Sequence, residues 1–316
     1  MIKHTVGVDI SKDYLDAYSA PEGRTARFGN DKTGFRRLLA WIDARVERIA
    51  YEPTGPWHRS FEETLLEAGL PLYSINPYQV RCFARSQGRR AKTDQVDARM
   101  LALMAATHDD LRPVRPRSQV LRDLTELHGV REALVEARLA VKARSEQLRH
   151  VLAKRFNREQ LRQIERQLRT IEGAIRALLR QDADLARKAE ILNSVPGLGE
   201  VSAVALLALM PELGDLSGKA AASLAGLAPI TRESGAWSGK AFIQGGRHNL
   251  RRALYMPALT ASRWNPDLKR KYEALRANGK PKKVAIIAIM RKLVVLANAL
   301  VQQDRLWTPR ERLALA

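Results

Sequence analysis

Short apolar runs typical of β-strands and segments with apolar residues at helical spacing both occur along the first hundred residues of the chain. Runs rich in β-branched and aromatic residues predict strands over 4–10, 14–19, 24–29, 48–52 and 70–75. Apolar positions at helical spacing predict helices over 32–45, 57–68 and 93–107. Because strands and helices alternate after an initial meander, we expect a mixed sheet with helices packed on it.

Beyond residue 112 the pattern changes to long helices. Pro113 and Pro116 interrupt the chain, and apolar residues then recur at alternating steps of three and four. The most regular part of this heptad seam is Leu161, Ile164, Leu168, Ile171, Ile175 and Leu178. The seam predicts two long helices that form an antiparallel hairpin or an intermolecular coiled coil. Ordinary packing of two helices, without an oligomeric role, also explains it.

A third segment begins near residue 191 and is predicted to be mostly helical. It opens with the sequence VPGLG at 195–199, which leads into an apolar helix over 201–210. Such a turn resembles the hairpin of a helix-hairpin-helix, whose backbone amides bind phosphate, although a plain tight turn explains it almost as well. The predicted class is α/β plus α, with domains at 1–112, 113–190 and 191–316.

The balance of charge narrows the class of partner. The 316 residues include 54 Lys or Arg and 34 Asp or Glu, so the formal net charge is +20. This excess predicts a polyanionic partner, with nucleic acid first and an anionic membrane surface second. A membrane is disfavoured because no stretch approaches the roughly 18 apolar residues of a spanning helix, and no cleavable signal precedes the first strand. The single cysteine, Cys82, excludes a disulfide-held fold and is expected to be a packing residue.

Four carboxylates in the first third of the chain are the candidate chemistry. Asp9 lies in an apolar predicted strand and Glu52 ends another, while Asp94 and Asp97 are three residues apart at the start of a helix. Each alone is explained as a turn residue or an early-helix acid. Together they could converge at one rim of the sheet and form an oxygen-rich site suited to Mg²⁺ or Mn²⁺. Two such ions assist cleavage of a phosphodiester.

Basic residues provide candidate contacts to a phosphate backbone. Arg89, Arg90 and Lys92 precede the helical acid pair, although a solvated loop also accounts for them. Further candidates for nucleic-acid contact follow in the last third of the chain: Arg232, Lys240, Arg247, Arg251, Arg252, Lys280, Lys282 and Lys283.

Four sequence blocks carry a resemblance to a known family. They are GVDISKDYLDAY at 7–18, YEPTGPW at 51–57, SINPYQVRCFARSQGRRAKTDQVDARMLA at 74–102 and LAGLAPITRESGAWSGKAFIQGGRHNLRRALYMPALTASRWNP at 224–266. With them the chain resembles the DEDD transposases of the IS110 family, relatives of the Piv invertase, from about residue 5 to about residue 300. The resemblance implies a RuvC-like (RNase H-like) domain, a coiled-coil segment and a C-terminal transposase domain.

The resemblance also assigns roles to individual residues. The family's four metal-binding acids match Asp9, Glu52, Asp94 and Asp97, and its nucleophilic serine, within a Ser-Gly motif, matches Ser234. From the residues alone, Ser234 is a turn residue, with Ser238 its nearest rival. A serine hydroxyl is a weak nucleophile that needs a base or a metal, and no His–Asp pair is evident nearby in the sequence.

The nucleic-acid partners follow from the same resemblance. It implies DNA at target and donor sites and a structured non-coding guide RNA. Strand exchange without free ends needs at least two active sites held together, so we expect a dimer or tetramer. Because the acids and Ser234 lie in different predicted domains, a site within one protomer and a site shared between protomers both stay open. We expect a nucleoid-associated protein in the cytoplasm of a bacterium or archaeon. Two alternatives stay open: a metal-dependent junction-resolving nuclease that activates water, and a non-catalytic nucleic-acid-binding scaffold.

Overall fold

The computed structural model describes residues 3–88, 94–235 and 237–309, with the side chains of 94–96, 237 and 238 also left out. The chain divides into two compact units, Met1–Arg117 and Ser118–Ala316, and each is described by itself. The boundary between the two units, after residue 117, lies five residues beyond the predicted domain boundary at 112. The long helices belong to the second unit.

The first unit is built on a five-stranded mixed sheet. Its strands are β1 (Thr5–Ile10), β2 (Tyr14–Ala20), β3 (Arg24–Gly29), β4 (Arg48–Tyr51) and β5 (Leu72–Ser74). Their order in the sheet is β3-β2-β1-β4-β5. Neighbouring strands β1, β2 and β3 are antiparallel, whereas β4 and β5 run parallel to β1. The mixed sheet predicted from the sequence is therefore confirmed.

Helices cover both faces of this sheet. Successive side chains of a strand point to opposite faces, and both faces carry residues that are buried under helices. Helices α1 (Lys32–Trp41) and α2 (Arg59–Glu67) pack on one face, against the even-numbered residues of β1. Helices α3 (Pro77–Ser86) and α4 (Asp94–Thr107) form a second apolar cluster, which includes Ala50 of β4.

Helix α3 was not expected from the sequence. Asn76 caps it by accepting a hydrogen bond of 2.8 Å from the backbone N–H of Tyr78, and Pro77 occupies its first turn. Both are recognised signals for the start of a helix, so the sequence itself contains the evidence for α3. The expectation that Cys82 packs in the interior is wrong, since this residue lies on the exposed side of α3.

The second unit begins with the predicted pair of long helices, α5 (Gln119–Ser145) and α6 (Val151–Gln181). They form an antiparallel hairpin in which three of the six heptad residues are buried and the other three are half-buried. Ile164 and Leu168 pack with Val141 between the two helices, and Ile175 joins the main core of the unit. The seam is therefore used within one chain, as the hairpin alternative predicted.

Replacing Leu168 by Glu is expected to lower the free energy of unfolding by about 3 kcal/mol, because a carboxylate then replaces an apolar side chain that is 4% exposed. Urea unfolding followed by circular dichroism measures the change. Gln167→Glu, on the exposed neighbour, introduces the same charge and should leave stability nearly unchanged. If Leu168→Glu keeps wild-type stability and only reduces self-association, the seam joins two chains instead.

The rest of the second unit is a helical core. Its remaining helices are α7 (Ala183–Asn193), α8 (Glu200–Leu209), α9 (Gly218–Leu224), α10 (His248–Trp264), α11 (Pro266–Ala277) and α12 (Lys282–Gln302). Helix α12 is central, and its buried residues include Ile289, Leu293 and Ala297. Its length and apolar composition suffice to cross a membrane, so the expectation that no stretch approaches this limit is wrong. Half of its most apolar window is buried, as in the core helix of a globular unit.

The VPGLG segment forms a tight turn before α8. Gly197 has φ +108°, and a Cβ atom at this position would lie 2.6 Å from the Cβ atom of Ala261 in α10. Glycine is thus required by both its backbone conformation and a close approach of two segments. Packing accounts for this motif without a phosphate.

Candidate active site

The ends of strands β1 and β4 bring two of the predicted acids to the same level of the sheet. The last paired residues of these parallel strands are Val8 and Tyr51, and Asp9 and Glu52 each follow directly. Side chains alternate between the faces of a strand. Asp9 therefore shares a face with Gly7, and Glu52 shares a face with Ala50, which packs in the α3–α4 cluster.

Helix α4 lies across the same face and runs opposite to β1. The Thr5 hydroxyl donates a hydrogen bond of 3.0 Å to the carbonyl of Ala102. A Cβ atom on Gly7 would lie 2.0 Å from the carbonyl oxygen of Ala98, one helical turn earlier. Because the two elements run in opposite directions, the end of β1 that carries Asp9 lies nearest the first turn of α4. That turn contains Asp97 and begins at Asp94.

Three of the four predicted acids, Asp9, Glu52 and Asp97, are half-buried at this rim, and the fourth, Asp94, has its side chain outside the description. Among the described side chains, no three His, Cys, Asp or Glu residues come close enough together to hold a metal ion. The strand register places Asp9 and Glu52 at one end of the sheet, and the contacts of α4 direct the first turn of that helix toward the same end. Every predicted donor is a carboxylate, which is the ligand type that Mg²⁺ and Mn²⁺ prefer.

A fifth acid, Asp16, is not among the acids predicted from the sequence. It lies directly opposite Asp9 on the neighbouring strand β2 and is only 6% exposed. Arg27 of β3 binds it with two hydrogen bonds of 2.9 Å, a bidentate pair. The signal that singled out Asp9, an acid inside an apolar strand, was also present at Asp16.

Buried polar contacts hold the end of β4 from the opposite face. The Tyr51 hydroxyl donates a hydrogen bond to the carboxylate of Glu62 in α2. Burial, together with the charge of Glu62, raises the pKa of Tyr51, so the phenol stays protonated. Burial lowers the pKa of nearby His58, which favours the neutral imidazole. These contacts fix the strand that carries Glu52.

The predicted nucleophile, Ser234, is exposed on a small β-hairpin of the second unit. Strands β7 (Glu233–Ser234) and β8 (Trp237–Ser238) form its outer part, with Ser234 paired to Trp237. Strands β6 (Pro229–Ile230) and β9 (Phe242–Ile243) pair below them. Gly235, with φ +56°, begins the turn. A serine at such a turn is accessible to a large substrate.

Several of the predicted basic contacts are engaged at the base of this hairpin. Arg247 donates two hydrogen bonds of 2.7 Å to the Glu212 carboxylate and a third, of 2.9 Å, to the Leu209 carbonyl. Arg251 donates a 2.7 Å hydrogen bond to the Gly245 carbonyl. These two side chains therefore have a structural role in holding the hairpin.

The other basic candidates differ in their surroundings. Arg252 contacts Glu136 and Glu132 of α5. The Arg232 guanidinium lies 4.5 Å from the centre of the Phe242 ring and is exposed. The lysines among the candidates are also exposed: Lys240, Lys280, Lys282 and Lys283. Three candidates lie outside the described residues: Arg89, Arg90 and Lys92.

Comparison with known proteins gives matches along most of the chain. Residues 6–157 match the family DEDD Tnp IS110, described as a transposase, and residues 189–273 match the transposase IS116/IS110/IS902 family. The pilin gene-inverting protein of Moraxella bovis is 30% identical, over 96% of this chain and 98% of its own length. Its counterpart in Moraxella lacunata gives the same figures. The IS900 42 kDa protein of Mycobacterium paratuberculosis is 32% identical over 41% of this chain and 33% of its own.

Proposed function

Because this chain belongs to the IS110 family of transposases, and is therefore an enzyme of DNA recombination, we propose that it cuts and rejoins DNA through a metal-assisted acid site and a nucleophilic serine. The acid site comprises Asp9, Glu52, Asp94 and Asp97, and the nucleophile is Ser234. The observation that carries this proposal is the convergence of the two strand-end acids and the first turn of α4 on one rim of the sheet.

The fold around the acids supports a RuvC-like (RNase H-like) assignment for the first unit. Three antiparallel strands continue into two parallel ones, with helices on both faces. In this arrangement Asp9 lies on the central strand β1 and Glu52 lies at the end of its parallel neighbour. Paired strands of the sheet therefore position these two acids.

The donor set fits a divalent cation held by the four carboxylates, Mg²⁺ or Mn²⁺. When bound, such an ion supplies positive charge that polarises the phosphate and stabilises the leaving oxygen. Strand β1, the end of strand β4 and the first turn of helix α4 carry these carboxylates, so the packing of those three elements sets the spacing between them. We leave Asp16 out of this set because Arg27 already binds its carboxylate.

The serine step conserves the phosphodiester. The Oγ atom of Ser234 bonds to phosphorus, the bond from phosphorus to a bridging sugar oxygen breaks, and that oxygen leaves as a hydroxyl after gaining a proton. The serine gives up its own proton to a base. Attack by the hydroxyl of a new strand reverses the same exchange and releases the serine. No net hydrolysis occurs, so the strand is rejoined without an external energy source.

A guide RNA and a homo-oligomer complete the proposal. The net charge of +20 suits a protein that binds DNA and a structured RNA together, with base pairing selecting the DNA sites. Exchange between two duplexes needs at least two serines, which favours a dimer or tetramer. In that assembly the acids of one protomer would act with Ser234 of another.

The test is a trapping experiment with the whole protein. Purified protein, its co-purifying RNA and labelled DNA carrying both sites are incubated with Mg²⁺ and then denatured. We expect a covalent protein–DNA adduct that mass spectrometry assigns to a phosphoserine, and an RNA whose sequence pairs with both DNA sites. Cleaved ends without an adduct would indicate the water-activating nuclease, and binding without any cleavage would indicate the scaffold.

A further inference from the structure

Three loops meet beside the acids at the carboxyl end of β1, and together they hold an exposed tryptophan. The side-chain amide of Asn30 donates hydrogen bonds to the backbone carbonyl of Ser11, at 2.8 Å, and to that of Trp57, at 3.1 Å. Ser11 follows Asp9 by two residues, and Trp57 follows Glu52 by five. The backbone N–H of Trp57 donates to the Thr54 carbonyl at 3.1 Å. Both backbone polar groups of Trp57 are therefore fixed.

The indole of Trp57 is 43% exposed although its backbone is held firmly. The Nζ atom of Lys12, on the turn after Asp9, lies 5.8 Å from the centre of the ring. An exposed cation–aromatic contact contributes only about 0.5–1 kcal/mol, which is a weak reason to leave so large an apolar ring in water. A rigid aromatic ring beside a cation is, in contrast, the combination that binds a nucleotide, by stacking on the base and by attraction to the phosphate.

A second exposed aromatic residue lies on the face that carries Asp9. Tyr14 begins β2, is 52% exposed, and has the Arg27 guanidinium 5.4 Å from its ring centre. Because Arg27 also binds Asp16, the ring of Tyr14 is the part of this pair that could contact a base. The Ser11 hydroxyl donates a 2.8 Å hydrogen bond to the Tyr14 carbonyl, which ties this residue to the same turn. Exposed aromatic rings thus occur on both loops and strands that border the acid rim.

We propose that Trp57 and Lys12 form a binding site for one unpaired nucleotide of the DNA strand being cut, with its base stacked on the indole and a flanking phosphate near the ammonium group. This site rests on the proposed function, because it is the acid rim that brings a DNA strand to this place. Bases inside a duplex already stack on their neighbours, so the site selects a strand that has been opened. Tyr14 extends the stacking path along the same strand.

The experiment measures the affinity of the full-length, RNA-free protein for a labelled single-stranded DNA and for the matching duplex. Trp57→Ala is expected to weaken single-strand binding by about tenfold or more and to leave duplex binding within about twofold. Trp57→Phe should retain most of the affinity, since a ring remains. Lys12→Ala should cause a smaller loss of affinity. It should also reduce the slope of log affinity against log salt concentration by about one, because one phosphate contact is lost.

The matched control is Trp264→Ala, which removes another exposed tryptophan, 74% exposed, from the second unit. It should leave single-strand affinity unchanged. The proposal is overturned if Trp57→Ala binds the single strand like the wild type, if it weakens single strand and duplex equally, or if Trp264→Ala has the same effect. A larger loss on an RNA strand of the same sequence would also overturn it, because the site would then serve the RNA.

A second measurement avoids any change to the protein. One base at a time is removed from the single strand, and an abasic position at the stacked nucleotide should cost wild-type protein about as much as Trp57→Ala does. The two losses should not add, because both remove the same contact. Recombination by Asp9→Asn tests the proposed chemistry separately. If Asp9→Asn still recombines DNA, the proposed chemistry is wrong, whereas the nucleotide site is judged by the single-strand affinity of Trp57→Ala alone.

Discussion

Replacing Ser234 by Ala is expected to abolish the covalent protein–DNA adduct and to lower strand cleavage by at least about 1,000-fold, since removal of a nucleophile commonly costs this much or more. Ser234 is exposed on its hairpin, so the loss of one hydroxyl should leave stability unchanged. The measurement is quantitative cleavage of labelled DNA in Mg²⁺, read on denaturing gels beside the thermal midpoint of each variant.

Ser238→Ala is the matched control for this result. Residue 238 belongs to the same hairpin, where it pairs with Glu233 on the opposite strand. The control should retain the adduct and most of the cleavage. Persistence of normal cleavage in Ser234→Ala would assign the reaction to activated water, and loss in Ser238→Ala alone would move the nucleophile by four residues.

Asp9→Asn is expected to lower both cleavage and rejoining by about 1,000-fold or more. The amide keeps the shape of the side chain but removes the charge that a divalent cation needs from its ligand. Asp9 is half-buried at the end of the central strand, and its replacement by an isosteric residue should preserve the fold. Recombination assays, together with titration of Mn²⁺ binding by electron paramagnetic resonance, should show activity and metal affinity falling together.

Asp13→Asn serves as the control because Asp13 is an exposed acid on the turn that follows Asp9. It changes the net charge equally and should leave metal affinity and recombination near wild-type values. A fully active Asp9→Asn variant would exclude this residue from the chemistry and favour the scaffold. Reduced activity with unchanged Mn²⁺ affinity would give Asp9 a role other than metal binding.

Much of the first unit could be predicted from the sequence because its signals are local. Alternating apolar residues mark the strands, and the two strand-end acids mark the rim. The contact that brings α4 to this rim is not local, since it depends on Gly7 and Ala98, 91 positions apart. The bidentate pair of Asp16 and Arg27 was likewise invisible until the register of β2 and β3 was known.

In the second unit the helices were predictable and the hairpin of Ser234 was not. Its strands are two residues long, which is too short for an alternating pattern of apolar and polar residues to be recognised. Charge predicts Arg247 and Arg251 as nucleic-acid contacts, and this stays a prediction. Their guanidinium groups also bind a carboxylate and backbone carbonyls at the base of the hairpin. That structural role depends on partners distant in the sequence, so charge alone could not predict it.

The close approach of β1 and α4 at Gly7 has a consequence for judging which copies of a mobile element still function. Any larger residue at this position would force the helix away from the strand, because even a methyl group would overlap the carbonyl of Ala98. The gap between Asp9 and the acids of α4 would then widen although every acid was intact. A genomic survey that scores only the four carboxylates would count such a copy as active. Such a survey should therefore also score the residue at position 7, where glycine is required.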